Sequence, residues 1–189
     1  MSYCNYIKNS VSELSDYLLN KHYHDHQYGF PIEEDDELFG RFILEINQAG
    51  LSWTLMLRKQ ENFRAAYDQF SIEKIAAYTE ADRERLLLNP GIIRNRLKIN
   101  AAIVNAQKIL ELKKEFGSFK NWLDSNKHLN KEEWTKLFKK TFKFTGGEIV
   151  NEFLMSTGYL PGAHSEDCPV YTRIATDSRI NTNKLNFDR

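Results

Sequence analysis

Apolar residues recur at spacings of three and four along most of the chain, which is the pattern of amphipathic α-helices. The clearest case runs from Glu33 to Gln48 and ends at Gly50. Its apolar positions are Leu38, Phe39, Phe42, Ile43 and Ile46. The acidic run 34–37 stands at its beginning, where the helix dipole favours negative charge. Further helices are predicted near 52–67, 71–78, 80–88, 92–116, 119–125, 131–142 and 147–157. No alternating strand pattern competes, so the sequence predicts an all-α fold.

The size and charge of the chain favour a single core. Its 189 residues suffice for one domain with a core of its own, or at most for two small ones. Its formal net charge is zero, so no overall field attracts nucleic acid. A local basic face would still suffice for such a partner. Two distant cysteines do not suggest an oxidised scaffold, and the chain has neither a signal-peptide core nor an apolar run of membrane length. We expect a cytoplasmic monomer without a membrane partner, in which residues 1–189 form one domain with a poorly anchored, disordered tail after about Thr172.

Two cysteines and a few histidines are the groups most able to bind a transition metal. Cys4 stands near the start of the chain, and His164 precedes Cys168 near the end. The other candidates are His22, His24 and His26. The two cysteines, His164 and one of these three histidines would make a closed Cys₂His₂ tetrahedron, which is the structural kind of zinc site. On spacing alone, inert buried thiols are the commoner explanation for two lone cysteines, and the zinc site stays open beside it.

The segment around Pro90 is a very tight turn between two predicted helices. Pro90 cannot continue the first helix, and Gly91 permits a backbone conformation that other residues resist. Free N–H groups at the start of the second helix would receive a phosphate oxygen, with Arg94, Arg96 and Lys98 adding positive charge. This is the helix-hairpin-helix arrangement, which grips a DNA backbone independently of base sequence. An ordinary corner between two helices is the alternative.

Several stretches of the chain resemble, in order, the signatures of one protein family. Residues 23–31 read YHDHQYGFP and resemble the pattern Y-H-D-x-x-W-G-x-P. Residues 45–53 read EINQAGLSW and resemble E-x-x-Q-A-G-L-S-W. Residues 58–64 read RKQENFR and resemble the K-R-E-N-F/Y-R run that follows it in the family.

Three later stretches complete the pattern. Residues 89–96 read NPGIIRNR and resemble a hairpin that usually ends G-I-I-R-N. Residues 142–146, FKFTG, resemble F-K-F-V-G, and residues 164–168, HSEDC, match a terminal H-x₃-C. Together the motifs make the chain similar to the 3-methyladenine DNA glycosylase I family, and the resemblance covers roughly residues 3 to 171.

The resemblance implies a particular fold. It is the all-α helix-hairpin-helix DNA glycosylase fold, as a single catalytic domain with the hairpin near residues 80–113. It also implies one structural zinc per chain, which joins the N- and C-terminal segments. The zinc ligands carried over are Cys4, His24, His164 and Cys168.

The implied activity is that of a DNA-3-methyladenine glycosylase, a hydrolase of base excision repair that acts on alkylated double-stranded DNA. N3-methylation makes adenine cationic and weakens its glycosidic bond, so the enzyme must mainly extrude the base, recognise it and stabilise charge. Glu45 is the expected catalytic carboxylate, and Trp53 is expected to stack on the 3-methyladenine base. The other expected base-binding residues are Tyr6, Tyr23, Tyr28 and Gln48. Leu51 is expected to wedge into the space left by the flipped base. The other expected DNA contacts are Gly91, Arg94 and Arg96.

Each assignment has an alternative. Trp53 and Leu51, at a turn between helices, are often core residues. Glu45 in an amphipathic helix is usually a solvated surface residue, and Tyr23 could simply brace the zinc ligand beside it. At the level of function, the alternative is a non-catalytic, zinc-stabilised helix-hairpin-helix DNA-binding protein. A zinc hydrolase needs an open metal position, which four protein ligands would exclude.

The chain departs from the family pattern at several positions. Tyr6 and Tyr28 stand where tryptophans are usual, and Ile46 replaces a glycine. These changes could reshape the pocket and alter the base preference. Leu97 replaces a small residue beside the hairpin, and Glu148 lies among positions that are normally uncharged.

Overall fold

The computed structural model describes residues 3–176, which are helical along most of their length. The α-helices in chain order are α1 (Tyr3–Lys8), α2 (Leu14–His26), α3 (Asp35–Gln48), α4 (Trp53–Ala66), α5 (Ile72–Ala76), α6 (Glu80–Leu88), α7 (Arg96–Phe116), α8 (Phe119–Ser125), α9 (Lys131–Thr141), α10 (Gly147–Ser156) and α11 (Pro169–Ala175). A short 3₁₀ turn, Asp68–Phe70, precedes α5. No strand occurs among residues 3–176, so the predicted all-α fold is confirmed. Over the same range, no helix combines the length and the apolar character that crossing a membrane requires.

The chain divides into two compact units. The first combines Met1–Pro31 with Leu154–Arg189, and the second is Ile32–Phe153. That residues 1–189 act as a single domain stays a prediction. In the region of the predicted tail, α11 extends to Ala175, whereas residues 177–189 lie outside the part of the chain that the structure describes.

In the first unit, a small apolar cluster anchors α11. It contains Cys4, Cys168 and Val170, with Phe30 and Ile174 packed against it. The sequence pattern did not predict α1, α2 or α11. In α2 the reason is visible, because its buried positions are Asn20, Tyr23 and His24 rather than aliphatic residues. A helix that buries polar and amphipathic side chains leaves little apolar periodicity in the sequence.

The core of the second unit is aromatic and is organised around α3. Phe42 is fully buried, and its ring centroid lies 5.6, 5.3 and 5.1 Å from those of Phe138, Phe142 and Phe153. Edge-to-face and tilted ring contacts of this kind add to the free energy gained by burial. They join α3, α9 and α10 in one core.

The acidic start of α3 holds three other helices. Asp35 accepts from the N–H groups of Phe119 and Lys120 at 3.0 and 2.9 Å, which caps α8. Asp36 accepts from the first N–H of α5 at 3.0 Å. Glu37 makes a two-pronged ion pair with an arginine of α4, at 2.6 and 2.7 Å. The acidic residues, whose charge the helix dipole was predicted to stabilise, therefore also fix α3 within its unit.

The predicted helices of the second unit agree with the structure except at their ends. The largest difference is that α7 begins at Arg96 rather than Ile92. The Asn95 side chain caps this helix, so the residues before it remain in the turn.

Candidate metal centre and base-recognition residues

Four buried side chains of the first unit converge where a metal could bind. Cys4 lies in α1, His24 in α2, His164 in the segment after α10, and Cys168 directly precedes α11. All four are buried, and their possible ligand atoms lie within 4.8 Å of one another. The structure therefore brings together the set that the resemblance implied. The spacing alternatives His22 and His26 are exposed on α2.

The spacing of these atoms fits a tetrahedral metal. The Sγ atom of Cys4 lies 3.4 Å from Nε2 of His24 and 3.5 Å from Nδ1 of His164. The Sγ atom of Cys168 lies 3.7 and 3.5 Å from the same two nitrogens. A tetrahedron with zinc–sulfur bonds of about 2.3 Å and zinc–nitrogen bonds of about 2.0–2.1 Å places sulfur and nitrogen about 3.5 Å apart. The four side chains are thus preorganised for a closed Cys₂His₂ site.

Both histidines have a partner on their other ring nitrogen. Nδ1 of His24 lies 2.8 Å from Oδ1 of Asp25, and Nε2 of His164 lies 2.7 Å from the carbonyl oxygen of Tyr28. When the histidines donate to these oxygens, the nitrogens that face the cysteines are left free to bind a cation. Burial alone would raise the pKa of Asp25, but hydrogen bonds from Lys21 and His24 outweigh it and lower that pKa. Asp25 is therefore an ionised partner of His24. This role was not predicted from the sequence, although Asp25 lies within the 23–31 motif.

Burial also sets the protonation of the ligands. It lowers the pKa of His164 and raises the pKa of the Cys168 thiol. The histidine is thus favoured in the neutral form that a ligand needs, whereas the thiol requires a bound cation to lose its proton readily.

An aromatic cluster adjoins these ligands within the first unit. The Tyr3 ring is its centre, with centroid distances of 5.8, 5.9 and 5.2 Å to Tyr6, Tyr23 and Tyr28. The Tyr3 hydroxyl donates to Oδ1 of Asn20 at 2.8 Å. Tyr3 was not among the predicted residues, yet it contacts all three tyrosines that were predicted to bind the base. Their role in base binding stays a prediction.

Glu45, Gln48 and Trp53 belong to the second unit. Glu45 lies in the last turn of α3 and is only 4% exposed, so it is not the solvated surface residue of the alternative interpretation. Trp53 is the first residue of α4 and is partly exposed. The Gln48 side-chain amide donates to the carbonyl of Leu51 at 2.8 Å, so its nitrogen already fixes the local backbone.

The segment Ala49–Ser52, here called the α3–α4 turn, presents Leu51 at its apex. Gly50 has φ +82°, a left-handed conformation that glycine adopts at little cost. The Ser52 hydroxyl accepts from the N–H of Leu55 at 3.3 Å and caps α4. Leu51 is 36% exposed, so it is not a core residue.

The segment Asn89–Asn95, here called the α6–α7 turn, joins the two helices of the predicted hairpin. The N–H groups of the second and third residues of α7 do not point freely outward, because those of Leu97 and Lys98 donate to Oδ1 of Asn95 at 3.0 and 3.1 Å. The prediction that they receive a phosphate is wrong for these two groups. Within residues 3–176, the N–H groups of Ile93, Arg94 and Arg96 donate to no acceptor, so the remaining donors lie in the turn and at the first residue of α7.

Gly91 suits this turn by its small size rather than by its backbone angle. Its φ lies outside the left-handed region, so the prediction of a conformation that other residues resist is wrong. A Cβ at this position would lie 3.0 Å from Oδ1 of Asn89 and 3.1 Å from Cβ of Asn62. Glycine is therefore suited to the close approach of α4 to this turn.

The three cations predicted beside the α6–α7 turn have different environments. Arg94 and Arg96 are exposed, and Arg96 pairs with Glu80 at 3.2 Å. Lys98 is only 5% exposed, and its ammonium group donates to two backbone carbonyls at the end of α3. The prediction that Lys98 adds surface charge is wrong, because its charge is used inside the unit.

The sequence of this chain matches a known family. Residues 15–134 match the model of the methyladenine glycosylases. The chain belongs to this family. It is 36% identical over 168 residues to DNA-3-methyladenine glycosylase 1 of Escherichia coli (strain K12), a match that covers 79% of this chain and 89% of that protein. It is 33% identical over 181 residues to DNA-3-methyladenine glycosylase of Haemophilus influenzae (strain ATCC 51907 / DSM 11121 / KW20 / Rd), covering 86% and 96%.

Solved structures of the family share the fold. One is 3-methyladenine DNA glycosylase I from Staphylococcus aureus, with a TM-score of 0.74 and 33% identity over 80% of this chain and 90% of that one. Another is a variant of 3-methyladenine DNA glycosylase I in complex with 3-methyladenine, with a TM-score of 0.75 and 32% identity over 80% and 91%. The predicted family and fold class are confirmed.

Proposed function

We propose that the chain is a monofunctional DNA-3-methyladenine glycosylase, which extrudes N3-methyladenine from alkylated duplex DNA and hydrolyses its N-glycosidic bond. The observation that supports this most strongly is the 36% identity to the Escherichia coli enzyme over 79% of the chain. The chain also keeps the carboxylate and the indole on which the activity was predicted to depend. Glu45 is buried and Trp53 is partly exposed in the second unit.

The reaction needs little help from a general acid. N3-methylation leaves the nucleobase cationic, so the bond to deoxyribose can break with the base leaving as a neutral purine. Positive charge then develops on the sugar, where a water adds and releases a proton. The protein supplies extrusion, recognition and nearby negative charge, and a damaged base costs less to extrude than an intact one.

Glu45 is the proposed catalytic carboxylate, and Trp53 the proposed stacking residue. Because Glu45 is 4% exposed, water screens its charge weakly, and it acts on a nearby cation more strongly than it would in bulk solvent. An indole ring suits a cationic purine, since cation–π attraction reinforces stacking. The further base-binding residues in this proposal are Tyr6, Tyr23, Tyr28 and Gln48.

Two turns of the second unit are proposed to contact DNA. The α6–α7 turn offers the N–H groups of Ile93 and Arg94 together with the exposed guanidinium groups of Arg94 and Arg96. Only a few phosphates would be neutralised, so the salt dependence of binding should be modest. Leu51, at the apex of the α3–α4 turn, would fill the space that the extruded base leaves.

We further propose that the Cys/His cluster holds one structural zinc per chain. Its support is the donor set of two sulfurs and two nitrogens at 3.4–3.7 Å and the oxygen partners on both histidines. Four protein ligands would leave no position for a reacting water, so the metal would stabilise the fold and not hydrolyse a substrate.

Release of free base tests the proposed activity. The protein would be incubated with alkylated duplex DNA, the released bases separated by chromatography, and the integrity of the strands followed in parallel. We expect free 3-methyladenine and abasic sites without strand breaks. Binding of the duplex without release of any base would instead identify a non-catalytic DNA-binding protein.

A further inference from the structure

Lys98 holds the α3–α4 turn from another helix. It lies in the first turn of α7, and its Nζ donates to the carbonyl oxygens of Asn47 and Ala49 at 2.8 and 2.9 Å. The Gln48 side chain fixes the same turn from within, through the carbonyl of Leu51. Leu51 is therefore carried by backbone that is tied to α7.

Lys59 makes the reciprocal contact. It lies in α4, which begins directly after the α3–α4 turn, and its Nζ donates to the carbonyl oxygens of Pro90 and Gly91 at 3.1 Å each. Asn62 of α4 lies against Gly91, where a Cβ would be only 3.1 Å from the Asn62 Cβ. Lys98 of α7, the helix after the α6–α7 turn, therefore holds the α3–α4 turn. Lys59 of α4, the helix after the α3–α4 turn, holds the α6–α7 turn.

An ammonium group is a costly way to fill the space beneath a turn. Burial lowers the pKa of Lys98, which means that removing its charge from water opposes the charged form. A methionine of similar length would fill the volume without that cost. The ammonium group instead makes charge-assisted hydrogen bonds to two carbonyls, and these bonds fix the turn in one position.

We infer that Lys98 and Lys59 are positioning residues that hold the α3–α4 turn and the α6–α7 turn at a fixed distance and orientation, here called their register. The inference rests on the proposed function, in which one turn carries the wedge Leu51 and the other grips the DNA backbone. In fixed register, extrusion occurs at one set distance from the gripped phosphates. Binding free energy gained at the backbone is then available to open the base stack. Neither lysine touches the base in this role.

Fluorescence of 2-aminopurine tests the register independently of catalysis. The probe is a duplex in which 2-aminopurine lies next to an uncleavable abasic analogue, so that insertion of Leu51 changes the stacking and the emission. Leu51→Ala defines the signal without the wedge. We expect Lys98→Met to bind this duplex as tightly as the parent but to lose most of the emission change.

Two further variants make the comparison specific. Lys98→Arg keeps the charge and several donors, so it should restore part of the signal. Lys108 lies on the exposed side of the same helix and pairs with Glu111 at 2.8 Å, so Lys108→Met is the matched control and should behave as the parent.

Base release gives a second readout. Single-turnover release of 3-methyladenine from duplex should fall by about 10- to 100-fold in Lys98→Met and in Lys59→Met, because small misplacements of reacting parts cost this much. The loss should be smaller on single-stranded alkylated DNA, in which no opposing strand or regular stack has to be opened. Parent-like metal content and affinity for free 3-methyladenine identify the folded variants.

Several outcomes would overturn the inference. One is a parent-like emission change in Lys98→Met, and another is an equal loss of release on single and double strands. A third is parallel loss of thermal stability and free-base affinity in both Lys98→Met and Lys98→Arg, which would assign the lysine to folding alone. If the parent protein changes the emission but releases no base, the proposed function is refuted. The emission of Lys98→Met then still tests whether the lysine holds the two turns in register.

Discussion

At the residue scale, the partner that orients a metal ligand is as well defined as the ligand itself. Asp25 lies 2.8 Å from Nδ1 of His24, and the carbonyl of Tyr28 lies 2.7 Å from Nε2 of His164. Both partners belong to the 23–31 motif, which also contains the ligand His24. One short segment therefore supplies a ligand and orients both histidines.

Replacement of Asp25 tests this orientation. Asp25→Asn keeps the size of the side chain but removes the negative charge that His24 faces, and we expect metal affinity to fall by about 10- to 100-fold. Competition with a chromophoric chelator measures the change. Glu166→Gln, an exposed carboxylate between His164 and Cys168, is the control and should leave affinity unchanged. Equal affinities for Asp25→Asn and the parent would exclude the orienting role.

The stacking role of Trp53 can be measured with the free base. Trp53→Ala should weaken binding of free 3-methyladenine by about 1–3 kcal/mol, the usual value of one base on one aromatic ring. Trp53→Phe keeps a flat ring and should recover much of this loss. Calorimetric titration gives both values, and an unchanged affinity in Trp53→Ala would place the base elsewhere.

The positions that depart from the family pattern fall into two groups. Leu97 is 68% exposed on α7, and Glu148 is exposed in the first turn of α10. Ile46 is buried in α3, and the rings of Tyr6 and Tyr28 contact the same neighbouring tyrosine. The second group changes packing inside the protein, and its effect on base preference stays a prediction.

At the scale of helices and turns, the α6–α7 turn shows where a phosphate donor can lie. The Asn95 side chain satisfies two N–H groups at the start of α7 and so removes them as phosphate donors. The turn before it retains the N–H groups of Ile93 and Arg94. The pattern NPGIIRNR predicted the turn correctly, but it could not show which donors the Asn95 cap would use.

Substitution of Gly91 tests this turn as the backbone grip. Gly91→Leu should push the turn away from Asn62 and lower affinity for duplex DNA of any sequence. A hydrogen bond to a charged group is worth about 1.5–3 kcal/mol, so loss of one contact should weaken binding roughly tenfold or more. Gly146→Leu is the control, because a Cβ there meets nothing within 4 Å. An unchanged affinity, or a change that depends on base sequence, would argue against a backbone grip.

At the scale of the whole molecule, the two compact units contain different candidate sites. The first unit contains the four candidate metal ligands, and the second contains Glu45, Trp53 and both DNA-contacting turns. The metal would join residues near the start of the chain to residues near its end. The cytoplasmic location and the monomeric state stay predictions.

Loss of one ligand tests the stabilising role of the metal. Cys168→Ser should release the metal and lower the free energy of unfolding by at least about 2 kcal/mol, because metal loss belongs to the most destabilising kinds of change. Thermal melting with and without a chelator measures this. Chelator should destabilise the parent to the level of the variant, and a Cys168→Ser protein that melts like the parent would make the site dispensable.

Apolar periodicity predicted α3 to α10, because most of these helices bury aliphatic and aromatic side chains. It missed α1 and α2, whose buried positions include cysteine, asparagine and histidine. It also missed α11, a short helix in which only Val170 is buried. The family motifs predicted the four metal ligands, whereas the spacing of residues alone could not distinguish His24 from His22 and His26. Neither periodicity nor the motifs could predict the hydrogen bonds of Lys59 and Lys98 to backbone carbonyls, because every residue has a carbonyl and residue identity does not show which one accepts.

The proposed catalytic role of Glu45 is tested most directly by the single-turnover rate at which 3-methyladenine leaves alkylated duplex DNA. Glu45→Gln keeps the size and much of the hydrogen bonding of the side chain but removes its charge. We predict that it slows release by about 100-fold or more, as loss of a preorganised electrostatic contact does. Glu115→Gln, an exposed carboxylate of α7, should stay within about twofold of the parent. Release by Glu45→Gln at the parent rate would show that Glu45 is not the catalytic carboxylate.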